Sequence, residues 1–314
     1  MRRLLLPALL LAVLLSLPVW SPRIFWLNVA AQALIFAIFA MSLDLLLGYG
    51  GMPSFGHAAF YGGGAYACAF WALHRGPDLL PMLGAGLLAG GLLALPIGAL
   101  SLRARGIYFL MLTLAFGQML WAFISNNQLR GLLGGDFGLI GVGRPVVPGA
   151  DRLGWSLWIP ANFYFLVLAL AALTFLMLSI AVRAPFGRSL EGVRENEHRM
   201  QALGYPTFRY RLAAFVAAGA LAGVAGALAA AYNLSATPGQ LYWTTSGLVL
   251  IATIVGGTRT LVGPVLGALL VVFMQVSFSL LVIGLIFIAF VLFLPTGVMG
   301  LGDRRALARL RRIG

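Results

Sequence analysis

Three of the chain's eight acidic residues fall in one short stretch, APFGRSLEGVRENEHRMQALGYP (184–206). Glu191, Glu195 and Glu197 are interleaved there with Arg188, Arg194, Arg199 and His198, between two long apolar runs. Mixed charge at this density suits recognition of another charged surface, setting orientation and partner choice more than raw affinity. Bond-making chemistry is poorly provided for. His57, His74 and His198 are far apart in sequence and show no metal spacing, and Cys68 has no evident base. With no lysine anywhere, this sequence holds no GxxxxGK[ST] phosphate loop. No catalytic and no metal-ligating residue is assigned.

What positions that stretch is a helix. Pro185 stands where a helix start tolerates proline, and Gly204 followed by Pro206 marks its end. A helix over 187–203 is expected, about 25 Å long. Glu195 and Arg199 are spaced as a favourable i,i+4 pair, and Leu190, Val193, Met200 and Leu203 form an interrupted apolar stripe. Three readings compete: a helix lying on lipid headgroups, a solvated loop, and a docking element for a soluble partner. An interfacial helix is rich in bases, so three glutamates argue against the first.

The surroundings are membrane. Of 314 residues 61% are hydrophobic and 9% charged, with mean hydropathy +0.98, against about 25% charged in soluble domains. Apolar segments run at approximately 4–20, 24–47, 54–73, 79–101, 106–125, 158–182, 212–234, 246–256 and 262–295. The expected fold is an all-α polytopic membrane protein with about 8–10 transmembrane helices, some broken or re-entrant, forming one domain over 1–314. The start, MRRLLLPALLLAVLLSLPVW, has the basic end and apolar core of a signal peptide, but no small-x-small cleavage site follows, so a retained first span is expected.

The net charge of +13 is carried by arginines at the ends of apolar runs, which the positive-inside rule explains better than nucleic acid does. With the N-terminus inside, four crossings bring Arg103 and Arg105 inside, and two more bring the 183–211 loop there. The 126–157 loop is then outside. The basic tail 303–314 is inside, which requires an odd number of crossings within 246–295.

Two segments look broken. One is GYGGMPSFGHAAFYGGGAYA (48–67); the other is GGTRT (256–260), between an apolar run too short to span and Gly263-Pro264. Gly/Pro-interrupted segments in both halves point to a transporter with a central pathway; tight helix packing by small residues is the competing reading. The path residues expected are Gly50, Gly51, Ser54, His57, Gly256 and Gly257. For His57 a neutral imidazole bonded to nearby backbone is preferred over a gating role. Asp44 is expected to form an ion pair with Arg103 or Arg105, or to brace the glycine loop. Thr113 and Gln118 are expected to glue helices, and Arg259 to be a surface charge. Asp136 is either a loop turn or a contact for a docked protein.

The run RAPFGRSLEGVRENEHRMQALGYPTFRYRLAAFVAAGALAGVAGAL (183–228) resembles the cytoplasmic loop and following helix of ABC-importer permeases for branched-chain amino acids. LLGYGGMPSFGHAAFYGGGAYA (46–67), GGTRTLVGPVLGALL (256–270) and FLPTGVMGL (293–301) resemble that family's other motifs, in its order, and the LivM-like type fits better. GGDFGLIG (134–141) resembles a periplasmic signature, with Leu133 before the glycines and Phe137 after the acid where the family form has Thr and Gly. The resemblance implies a multi-pass subunit of a bacterial inner membrane, both termini cytoplasmic. It implies two cytoplasmic ATPase subunits that carry ATP and Mg, a second homologous permease and a periplasmic solute-binding protein. This chain itself would bind no cofactor. Arg188, Glu191, Arg194, Glu195, Glu197 and Gly204 would serve ATPase coupling, and Asp136 binding-protein docking. The cargo implied is a branched-chain or related small amino acid. Urea, short amides or aromatic acids remain alternatives, as does an ion-coupled secondary transporter.

Overall fold

The structure, a computed structural model, describes residues 2–20, 24–147, 156–278, 284, 285, 287 and 288. It is an all-α polytopic membrane protein. In lipid every backbone polar group must be satisfied within the chain, so apolar runs become helices. They are α1 (Arg2–Trp20), α2 (Ile24–Asp44), α3 (His57–Arg75), α4 (Leu79–Ser101), α5 (Ile107–Ile124), the short α6 (Arg130–Leu133), α7 (Pro160–Arg183), α8 (Pro185–Glu195), α9 (Glu197–Ala202), α10 (Thr207–Asn233), α11 (Trp243–Gly256) and α12 (Val262–Ser277). Five stretches among the described residues are long and apolar enough to cross a membrane alone: Ile24–Tyr49, α4, α5, α7 and α10. The 293–301 motif, the basic tail and most of 279–295 lie outside the described residues.

The bundle is laced by close contacts. A Cβ at Gly90 would stand 2.9 Å from the Gly223 Cα, and one at Gly219 would stand 3.0 Å from the Gly90 carbonyl. Only glycine lets α4 and α10 approach so closely, and lipid-embedded helices associate through such packing. The Tyr232 hydroxyl of α10 donates to Asn28 O of α2 at 3.3 Å, and that of Tyr164 on α7 to Leu14 O of α1 at 2.7 Å. These pairs run antiparallel. The segments carrying Arg105, Arg188, Arg194 and Arg259 consequently meet at one end of the bundle, joined by ion pairs to the glutamates there.

At the opposite end the 126–157 loop returns to the bundle. Its strand β1 (Leu139–Ile140) pairs antiparallel with β2 (Ser235–Ala236), in the register Leu139 to Ala236. Beyond β2 the chain makes a 3₁₀ turn, Pro238–Leu241, before α11 begins. α11 and α12 then form an antiparallel hairpin. A Cβ at Gly267 would stand 2.8 Å from the Ala252 carbonyl carbon, and one at Gly256 would stand 3.0 Å from Gly267 N. Neither α11, of 14 residues, nor α12, of 16, is among the five stretches long enough to cross alone, in keeping with the broken element expected there.

The polar stretch departs from expectation. The single helix anticipated over 187–203 is two helices, α8 and α9, separated at Asn196, whose backbone is extended at φ −155°. Asn196 is an N-cap: its Oδ1 accepts from Arg199 N at 2.9 Å. The cap satisfies a donor that a new helix start leaves open. It also removes the Glu195–Arg199 i,i+4 relation, and no such ion pair forms.

Candidate functional site

The first break begins where α2 widens into a π-helical turn, Leu45–Tyr49. Widened turns of this kind concentrate at functional positions. Residues 50–56 are then non-helical until α3 begins at His57. Backbone that leaves helix geometry at this depth needs other partners, and they come from three elements. Phe55 N–H donates to Thr113 Oγ1 of α5 at 3.3 Å, Ala58 N–H to Ser246 Oγ of α11 at 2.8 Å, and the Gly48 carbonyl accepts from Arg194 Nη1 of α8.

The second break is the turn between α11 and α12. Gly257, Arg259 and Leu261 all have positive φ, at 105°, 68° and 55°. For the two non-glycine residues this costs on the order of 1–3 kcal/mol each and persists only where the surroundings enforce it. Asp44 enforces it. Its buried carboxylate accepts Arg259 N–H at 2.9 Å and Leu261 N–H at 3.4 Å, the N–H groups of the two strained residues. Tyr49 adds a bond from its hydroxyl to Arg259 O at 3.0 Å. The expected pairing of Asp44 with Arg103 or Arg105 is therefore corrected. The alternative expectation is bracing of the glycine loop that follows Asp44; the segment Asp44 braces is instead the second break.

The two breaks touch: a Cβ at Gly48 would stand 2.8 Å from Arg259 N. α8 lies across both. Its apolar side, Gly187, Leu190 and Val193, is buried in protein, which removes the surface a lipid-lying helix needs. Along the edge of that same side, Arg194 reaches Gly48 O in the first break, while Glu191 meets Arg259 Nη2 in the second at 3.4 Å. Gly51, at φ +65°, gives the Arg194 stem its room; a Cβ there would be 2.7 Å from Arg194 Cγ. One helix thus grips both discontinuities through two oppositely charged side chains.

Comparison with known proteins bears on what such a junction belongs to. The model of the family described as "Branched-chain amino acid transport system / permease component" matches residues 25–299, so both breaks and the α8–α9 loop fall inside it. The chain belongs to this family. Curated relatives include the "High-affinity branched-chain amino acid transport system permease protein LivM" of Salmonella typhimurium and that of Escherichia coli. Each is 28% identical over 302 residues, covering 87% of this chain and 69% of its own. A "Probable branched-chain amino acid transport permease protein LivM" of Methanocaldococcus jannaschii is 23% identical over 280 residues, covering 77% and 78%. No solved structure matches the chain.

The remaining residues singled out in this permease divide by location. Arg188, Glu195 and Gly204 lie exposed on the α8–α9 surface. Glu197 is turned inward: its carboxylate meets Arg211 of α10 at 3.3 Å and Arg105 of the α4–α5 turn at 3.4 Å. Arg259 is exposed at the arginine-rich end, as a surface charge would be, and is also engaged by Glu191. Gly256 packs against Gly263 across the α11–α12 hairpin. Gly50 closes the π turn through its N–H to Leu45 O at 3.1 Å. Ser54 is wholly buried, and its hydroxyl has no partner among the described residues. Asp136 is exposed in the turn before β1, away from the junction.

His57 sits one layer inside the junction. Its Nε2 lies 2.9 Å from Ser42 Oγ, and that hydroxyl donates to Phe39 O at 2.7 Å. The hydroxyl proton being committed, the ring is the donor and carries its hydrogen on Nε2. The partner is thus a side chain where backbone was expected. Phe39 stacks on the imidazole at 5.3 Å and on Tyr61 at 4.5 Å, forming an aromatic layer across the bundle. Thr113 does join elements, bonding the first break; Gln118 Nε2 is buried without a partner among the described residues.

Sequence reasoning missed three features. Leu203, Tyr205 and Phe208 are exposed together at the α9–α10 corner, beside the arginines of α8 and α9. The role of Tyr49 was not seen. Neither was a polar cavity on the far side of the aromatic layer. Only Asn196 carried a local signal that was legible, since asparagine is a leading N-cap residue.

Proposed function

We infer that this chain is the membrane-spanning subunit of an ATP-driven importer that carries branched-chain or related small amino acids by alternating access. The observation that carries the reading is the contact of α8 with both breaks. In an importer of this class, force generated on a separate ATPase must reach the path through the lipid. A helix held to both discontinuities is mechanically suited to deliver it, because broken segments absorb φ/ψ changes that intact helices resist.

The arginine-rich end faces the cytoplasm under the positive-inside rule. There α8 and α9 offer exposed Arg188, Glu195 and Arg199 beside the apolar trio Leu203, Tyr205 and Phe208. An aromatic and aliphatic anchor rimmed by mixed charge is the composition of a protein-docking surface. Two ATPase subunits holding ATP and Mg, a second permease and a periplasmic binding protein complete the assembly. The binding protein would rest on the opposite end, near Asp136. Ion-coupled transport is disfavoured because Asp44, the buried acid best placed for it, has both oxygens committed to backbone N–H groups.

Reconstitution with ATPases and binding protein tests this. Uptake should require ATP and survive collapse of ion gradients. Glu195→Arg, which breaks no ion pair seen within the chain, should release the ATPases from a folded permease. Gradient-driven uptake by this chain alone would overturn the assignment.

A further inference from the structure

The cavity beyond the aromatic layer is an open cleft of about 260 Å³ between α2, α3, the end of α10, the 3₁₀ turn, α11 and α12, with Gln32 and Gln275 exposed. That is close to the lower end of the roughly 300–1,000 Å³ of small-molecule sites. Its polar side is made of Gln32, Tyr61, Gln240, Thr245 and Gln275. Its apolar side is made of Ile35, Phe36, Leu248 and Val272. Among the described residues no charged side chain lines it. The Gln240 amide oxygen is buried without a donor among those residues, a condition that costs about 1–3 kcal/mol until a donor arrives. The backbone at 237–242 is non-helical or 3₁₀, and Thr237, Gly239 and Gln240 border the space. The N-terminal end of α11, which favours negative charge, also borders the space through Thr245.

We propose that this cavity, inside a single chain and walled off from the junction by Phe36, Phe39, Tyr61 and His57, binds a small zwitterion with an aliphatic side chain. It deepens the importer reading and rests on it for the direction of transport. The uncharged amides and hydroxyls can serve an ammonium and a carboxylate together. Neither a net anion nor a net cation finds a counter-charge. The aliphatic side chain lies against Ile35, Leu248 and Val272. The binding-protein end is coupled to the lip of this site: β1 pairs with β2 immediately before Thr237, and a Cβ at Gly138 would stand 2.9 Å from the Thr237 Cα. The aromatic layer beneath, with Phe36 and Phe39 at 5.9 Å and His57 and Phe60 at 5.7 Å, closes the floor.

The test uses the full chain in lipid nanodiscs, with Cys68→Ser and a single reporter, Gln275→Cys or, independently, Thr245→Cys. Maleimide labelling is timed with excess L-leucine, L-glutamate or L-arginine. Leucine should slow labelling several-fold at both positions, and the charged amino acids should not. Adding Val272→Phe should abolish the leucine effect. Absence of protection at both cysteines would overturn the site, and equal protection by arginine or glutamate would overturn the uncharged class. Labelling requires neither ATP nor partners. Leucine protection without ATP-driven uptake would therefore retain the cavity and sink the importer reading. ATP-driven leucine uptake without protection would sink the cavity alone.

Discussion

The two breaks solve one problem by opposite means. The first, residues 50–56 with the turns on either side of it, is rich in glycine and borrows hydrogen bonds at Gly48, Phe55 and Ala58 from side chains of α8, α5 and α11. The second is held from within the bundle: two non-glycine residues in left-handed conformations are fixed by the buried Asp44 carboxylate. A glycine-rich segment tethered by an exposed arginine can shift when that arginine moves. A turn locked by a buried carboxylate resists. On the importer reading the contrast suits the first break to larger shifts than the second, with α8 touching both.

Asp44→Ala should have the largest effect. It strands the Arg259 and Leu261 N–H groups and releases a strained turn, at a cost of about 1–3 kcal/mol for each stranded group. A large fall in thermal stability of the purified protein checks it. Arg194→Gln should come next: losing a charged hydrogen bond to Gly48 O costs roughly 1.5–3 kcal/mol. ATP-driven uptake should fall much further than that stability loss explains, read as uptake per folded molecule. Gly51→Ala should cost about 1–2 kcal/mol for its left-handed backbone and also push the Arg194 stem away. Its uptake defect should match that of Arg194→Gln in kind. Glu191→Gln should be mildest, about 0–1 kcal/mol and reduced by salt, because its partnership with Arg259 is half-exposed and the turn is already held by Asp44.

Much of the bundle was legible from hydropathy. The segments read at 24–47, 79–101 and 158–182 emerge as α2 with its π turn, α4 and α7. α10 starts five residues before its apolar run because Thr207 and Arg211 are held by Glu197. A charge partner ten or more residues away leaves no mark in a sliding window. Gly and Pro spacing exposed both breaks, since those residues interrupt helices by themselves. That the breaks meet was not legible: Asp44 and Arg259 are 215 positions apart. Asp44 was misread for the same reason, because an acid near the arginine end suggests an ion pair and nothing local announces waiting backbone N–H groups. The cavity draws one to three residues from each of six elements, and none of its glutamines stands out in its own segment.

The most direct test follows Ser54, buried in the first break, as a reporter of force arriving through α8. In the assembled complex, Ser54→Cys with Cys68→Ser should change its maleimide labelling rate several-fold when ATP is added. Arg194→Gln should abolish that change while ATP hydrolysis continues. A labelling rate indifferent to ATP, or an ATP response that survives Arg194→Gln, would contradict the account.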